Sequence, residues 1–149
     1  MNNKPILLVE DNPDDVTFTL RAFRQNNIGN QVVVASDGEQ ALQALQILQP
    51  SSAARAFQPA LVLLDIKLPK IDGLDVLRRI RADPRTESLP VVMLTTSNEE
   101  TDIVSSYRLG ANSFVRKPVA FSDFLNVANM LGMYWLVLNQ PAPEWASGG

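Results

Sequence analysis

The sequence predicts an α/β domain of the doubly wound kind, a five-stranded parallel sheet with helices on both faces. Three observations lead there. Five short runs of apolar and β-branched residues recur along the chain: "PILLVE" (5–10), "QVVVA" (31–35), "ALVLLD" (60–65), "PVVMLTT" (90–96) and "SFVRK" (113–117). Segments with helical spacing separate them. The runs are near-continuously apolar rather than alternating, which is the pattern of strands covered on both faces and joined by right-handed crossovers.

Each helix has its own warrant. The first follows "DNPDD", where Asn12 can cap and Pro13 suits the first helical position, and Val16, Leu20 and Phe23 then recur at i, i+4 and i+7. Ala41, Leu42, Leu45 and Leu48 follow "SDGEQ", and Leu74, Leu77 and Ile80 follow "IDG". A fourth helix is expected from about Glu99 to Leu109, carrying Ile103, Val104 and Tyr107. The fifth begins near Ser122 and runs toward Leu138. Its Leu125, Ala128, Leu131, Trp135 and Leu138 are expected to face a core, yet Met130, Met133, Tyr134 and Val137 make the opposite face apolar as well. A helix apolar all round must be covered on more than one side. We therefore expect a symmetric homodimer through Tyr134, Trp135, Val137, Leu138 and the tail, with Trp145 as an anchor; the alternative is a tail folded back on its own domain.

Composition narrows the chemistry. At 149 residues the chain is one domain, expected to span 1–138, with 139–149 as a tail. Hydrophobic content of 46% and charged content of 19% are those of a soluble globular protein. A net charge of -3 and the lack of a basic stripe argue against nucleic acid as a partner. With no cysteine and no histidine, thiol and imidazole catalysis are excluded, and any metal site must be built from oxygen. The acidic start "MNNKPILLVED" is no secretory signal and no run is long enough to span a membrane, so the cytoplasm is the expected compartment.

In a sheet of this kind, ligands bind outside the carboxyl ends of the strands. The first strand ends at Glu10-Asp11, the third at Asp65, the fourth at Thr95-Thr96 and the fifth at Lys117-Pro118, all at that edge. Taken singly, each has an ordinary reading: an acidic pair in a solvated turn, an aspartate capping a loop, a threonine filling a β position, a surface lysine. Together they place three carboxylates in one crevice. Such carboxylates repel one another unless a cation intervenes, and magnesium, a hard cation that keeps several waters and needs only one or two carboxylates, fits.

The motifs "LLVEDN", "LVLLDIKLPKIDG", "LPVVMLTTS" and "GANSFVRKP", in this order and spacing, resemble those of the receiver domain of two-component response regulators. The resemblance covers residues 4 to about 132 and implies a flavodoxin-like (CheY-like) sheet of order 2-1-3-4-5. It further implies Asp65 as phosphoacceptor, Mg2+ (or Mn2+) held by Glu10, Asp11, Asp65 and the backbone carbonyl of Lys67, and Lys117 as the phosphoryl-binding cation. Thr95 would be the switch hydroxyl, Phe114 the switch aromatic, and Pro118 the second residue of a cis peptide. The implied partner is a histidine kinase, and phosphorylation would reshape the face made by the fourth helix, fifth strand and fifth helix. Such a protein is a signalling phosphoacceptor rather than an enzyme. Lys67 and Thr96 flank the phosphoryl site, and their bulk suggests a long-lived phosphoryl state.

The apolar C-terminal end, "EDNPDD" and the insert "QPSSAARAFQP" look like the single-domain receivers that serve phytochrome-type kinases. Rival readings fare worse. A haloacid-dehalogenase-type phosphatase needs an aspartate where Lys67 stands, and no glycine-rich phosphate loop follows a strand. A phosphate sink, or a degenerate receiver used only for docking, remains as an alternative output.

Overall fold

In the computed structural model, which describes residues 4–47 and 57–143, β1 (Ile6–Val9), β2 (Val32–Ala35), β3 (Leu61–Leu64), β4 (Val91–Thr95) and β5 (Ser113–Arg116) form one parallel sheet in the order β2-β1-β3-β4-β5. Helices α1 (Pro13–Gln25), α2 (Gly38–Ala44), α3 (Gly73–Ala82), α4 (Glu100–Arg108) and α5 (Phe121–Leu131) connect and cover it. The order expected from the sequence is the one found.

Apolar residues occupy both sheet faces because the strands are apolar at successive positions. Leu7, Val9, Val62, Leu64, Val91 and Met93 pack with Val76, Leu77 and Ile80 of α3 and with Ala41 and Leu42 of α2. Their neighbours in sequence, Ile6, Leu8, Leu61, Leu63, Val92 and Leu94, pack with Ala22 and Phe23 of α1 and Phe124 and Ala128 of α5. Period-two alternation thus divides the core in two with no polar face left over. Phe18 joins α1 to α5 by edge-on ring contacts with Phe121 and Phe124.

The caps follow the sequence closely at α1. Asn12 accepts hydrogen bonds from the backbone N–H groups of Asp14 (2.9 Å) and Asp15 (3.5 Å), and Pro13 opens the helix. At α2, Asp37 accepts from the Gln40 N–H at 2.7 Å. This helix stops at Ala44, and Leu48 lies outside the described residues.

The C-terminal end departs from expectation. Beyond α5 the chain winds into a π-helical segment, Gly132–Leu138, closed by the Asn139 N–H donating to the Tyr134 carbonyl. Winding with a longer turn shifts the inward face. One turn on from Leu131 both Trp135 and Leu136 are buried, Trp135 in the core position its spacing predicts, whereas Leu138 is 64% exposed. Leu138 therefore does not face the core. Gly132 admits this packing because a Cβ there would lie 2.8 Å from Ile28 Cδ1.

This register generates an expected outcome: in dilute protein, Leu136→Ala lowers unfolding stability in urea by about 2–3 kcal/mol, while Leu138→Ala costs less than about 0.5 kcal/mol. A larger loss at Leu138 would return the segment to ordinary α-helical winding.

Candidate functional site

The ladder itself aims the site residues. The Glu10 N–H donates to the Ala35 carbonyl (3.0 Å), the Asp65 N–H to Val9 (3.2 Å) and the Lys117 N–H to Thr95 (2.8 Å). Each residue is thus the last one pinned to a neighbouring strand, and its side chain emerges where the sheet stops. Gly73 closes the site from below: its N–H donates to the Ile66 carbonyl at 2.8 Å, and a Cβ there would sit 2.0 Å from the Asp65 carbonyl oxygen. The glycine of "KIDG" is required by this close approach.

Lys117 reaches across from β5. Its ammonium donates to Glu10 Oε1 at 2.7 Å, to Asp15 Oδ2 at 3.1 Å and to Asp65 Oδ2 at 3.2 Å. The Lys117 side chain is only 9% exposed, and those of Glu10 and Asp65 are 3% and 9% exposed. Asp65 Oδ1 accepts from the Ile66 N–H at 2.7 Å. Thr95 is fully buried, and its Oγ1 accepts from the Ser97 N–H at 3.2 Å. The Ser97 hydroxyl in turn donates to Asp102 Oδ2 at 2.6 Å, tying the β4-α4 loop to the first turn of α4.

Burial and crowding divide the two inner carboxyls. Burial, reinforced by the adjacent Asp65 carboxyl, pushes Glu10 up to about 9 against the pull of Lys117. Burial acts on Asp65 in the same upward sense, but the neighbouring Glu10, Thr95 and Lys117 side chains together outweigh it and leave Asp65 below the ordinary carboxylate value. Asp65 is therefore the ionised member. Burial works against the charge of Lys117 too, yet its carboxylate partners hold its pKa above normal.

Carboxylate oxygens of Glu10, Asp11 and Asp65 lie within 4.8 Å of one another. Glu10 Oε2 is buried with no hydrogen-bond partner, an acceptor that suits a cation's ligand. Asp11 is exposed, leaving room for the waters magnesium retains. An all-oxygen set of this kind fits Mg2+ or Mn2+, with Glu10, Asp11 and Asp65 as the residues that would hold it.

Of the remaining expected residues, Lys67 and Thr96 are exposed beside the site, and Thr96 lines a shallow cavity of ≈ 270 Å³ with Arg116, Lys117, Pro118 and Val119. Phe114 is half-buried against the α2-α3 side of the core, and its N–H donates to the Tyr107 hydroxyl at 3.2 Å. The expected cis peptide at Lys117-Pro118 is corrected: no cis bond occurs among the described residues. Trans is the intrinsically preferred form even before proline, and Lys117 meets all three carboxylates with the peptide in that form. Trp145 lies outside the described residues. Asp15 was not anticipated. The available signal was its place one helical turn beyond Asp11, which the reading of "DNPDD" as a helix start absorbed.

Comparison with known proteins agrees with the fold. The family model for the response regulator receiver domain matches residues 6–129. Response regulator Rcp1 of Synechocystis sp. is 35% identical over 133 residues, covering 89% of this chain and 89% of that protein. The crystal structure of its Mn(2+)-bound form has a TM-score of 0.82 at 32% identity, covering 94% of this chain and 99% of that one. The phosphorylated cyanobacterial phytochrome response regulator RcpA gives a TM-score of 0.84 at 35% identity over 95% of this chain and 99% of that one. The bacteriophytochrome response regulator AtBRR is 47% identical with a TM-score of 0.72, covering 94% of this chain and all (100%) of that one.

The raised Glu10 pKa sets a stability window. The folded metal-free protein binds a proton that the unfolded chain releases above 4.5, so this contribution is full below pH 4.5 and is lost as pH rises toward about 9. The depressed Asp65 acts elsewhere: its contribution is present above 3.8 and lost as pH falls below that value. Urea melts in chelator should therefore show stability falling by up to about 1.4 kcal/mol per pH unit between pH 6 and 9. Glu10→Gln should flatten that slope, and the stabilisation by Mg2+ should grow with pH.

Proposed function

This chain belongs to the response regulator receiver family, and from that premise we propose that Asp65 accepts a phosphoryl group from a partner histidine kinase. The observation that carries the reading is the ionised Asp65 carboxylate held at a strand end by the Lys117 ammonium at 3.2 Å, beside an acidic set that suits a divalent cation. One Asp65 oxygen attacks phosphorus in line, the P–O bond forming as the bond to the donor imidazole nitrogen breaks. The product is an acyl phosphate that later hydrolyses. Catalysis of such a transfer is positioning plus neutralisation of charge on the equatorial oxygens. A bound divalent cation supplies part of that neutralisation. Lys117 supplies the rest from the chain itself, and the Ile66 N–H orients the carboxylate.

Thr95 then serves as the switch. Its buried Oγ1 accepts from the Ser97 N–H, so a phosphoryl oxygen that captures the hydroxyl pulls on the β4-α4 loop. Phe114, half-buried behind that loop, repacks, and the α4-β5-α5 face carries the change as a shift between existing conformations.

The upstream partner we propose is a phytochrome-type kinase, on the strength of the chain's similarity to the phytochrome response regulator RcpA and the bacteriophytochrome response regulator AtBRR and of their matching length. Output runs through a homodimer. Met130, Met133, Tyr134, Val137 and Leu138 are 49–69% exposed along one end of the molecule, an apolar strip that a second copy would cover. Among the described residues no helix is long and apolar enough to cross a membrane, which suits a cytoplasmic partner of such a kinase.

With acetyl phosphate and Mg2+ the protein should gain one phosphoryl group by intact mass. Asp65→Asn should abolish the gain, and Lys117→Ala should slow it at least about tenfold. A phosphoryl adduct on Asp65→Asn would refute the assignment. In sedimentation runs at high micromolar concentration the wild type should be a dimer and Leu138→Asp a monomer; a monomeric wild type, phosphorylated or not, would remove the dimer.

A further inference from the structure

The third acceptor on Lys117 has no part in the mechanism above, and its position gives it one. An ammonium has three N–H donors, and in this structure all are taken, by Glu10, Asp15 and Asp65. A phosphoryl group on Asp65 adds an acceptor beside Lys117 and about one further negative charge. One existing partner must then give way. Glu10 is deeply buried and its Oε2 already lacks a partner, so its other oxygen cannot be abandoned cheaply. Asp65 carries the phosphoryl group. Asp15 differs from both: its side chain is 36% exposed and water can replace the lost bond.

Its placement is built in rather than accidental. Asn12 caps α1 by accepting from the Asp14 and Asp15 N–H groups, and the Asp15 carbonyl accepts from the Thr19 hydroxyl at 2.8 Å. The first turn of α1 thus holds the Asp15 carboxylate over the crevice 102 residues away in sequence from Lys117. Asp14, its neighbour, is exposed, and its N–H donates to the Asn12 cap.

We propose that Asp15 is a positioning residue that competes with the phosphoryl group for Lys117: it holds the ammonium while Asp65 is unmodified and hands one N–H to a phosphoryl oxygen when that group arrives. The inference rests on the phosphoacceptor reading of Asp65. It assigns Asp15 the setting of how readily the phosphorylated state forms and persists, separately from the residues that would hold the metal.

Beryllium fluoride with Mg2+ is the probe, its fluorides standing where phosphoryl oxygens would be, with bound and free signals integrated by fluorine NMR. Asp15→Asn should tighten binding about threefold to fivefold, the size of a partly exposed ion pair, and the gain should persist at high salt because it arises at contact distance. Asp14→Asn removes the same charge next door without touching Lys117 and should change affinity less than about twofold, an effect that salt erases. Asp15→Glu, which keeps an acid in the same turn, should restore binding toward wild type. Equal gains from Asp14→Asn and Asp15→Asn would overturn the proposal in favour of general charge, and weaker binding by Asp15→Asn would overturn it in favour of simple support of Lys117. A wild type that binds no beryllium fluoride would instead remove the phosphoacceptor reading, and this inference with it.

Discussion

A nearly dry ammonium facing two nearly dry carboxylates is an expensive arrangement, and the rest of this molecule makes it possible. Removing such ionisable groups from water costs more than their mutual attraction returns unless the geometry is close to ideal and the remaining lone pairs find partners. The parallel sheet supplies the geometry. Glu10, Asp65 and Lys117 are brought together from positions 107 and 52 residues apart because β1, β3 and β5 all end at one edge. The lone pairs are not all satisfied. Glu10 Oε2 has no partner, and it is this residual demand for positive charge that gives the site its chemistry.

The same crowding separates the roles of the acids. Glu10 is driven toward its protonated form while Asp65 remains a carboxylate able to act as nucleophile. Beside Asp65, hydrogen bonds lead outward from the buried Thr95 hydroxyl, which accepts from the Ser97 N–H, and from the Ser97 hydroxyl to Asp102 on α4. On the far side of that helix, the Tyr107 hydroxyl accepts from the Phe114 N–H on the edge strand. These bonds run from the crevice toward the α4-β5 face, where Val104 and Tyr107 are 43% and 51% exposed.

Much of this was legible in the sequence because the relevant signals are local and repeated. Strands without alternation demand two covered faces, and polar residues at the ends of such strands have only one edge to occupy. That logic reached Glu10, Asp65, Thr95 and Lys117 without any distance. It missed Asp15 because an acid in the first turn of a helix is already explained by capping and by the helix dipole, and nothing local says that a lysine 102 residues on will meet it. It misplaced Leu138 because periodicity assumes 3.6 residues per turn, whereas packing of Gly132 against Ile28 accompanies a wider winding. The cis peptide was inferred from resemblance alone, and no residue in this chain's own sequence demanded it.

The central claim is that the inner carboxylates hold a proton where a divalent cation would otherwise sit. Calorimetric titration of Mg2+ at pH 7.5 in two buffers of different ionisation enthalpy counts the protons that binding releases. The account predicts a release close to one per cation in the wild type, and close to zero in Glu10→Gln if that variant binds at all. No proton release by the wild type would contradict it, because Glu10 would then be ionised in the empty crevice and Lys117 alone would suffice to balance the site.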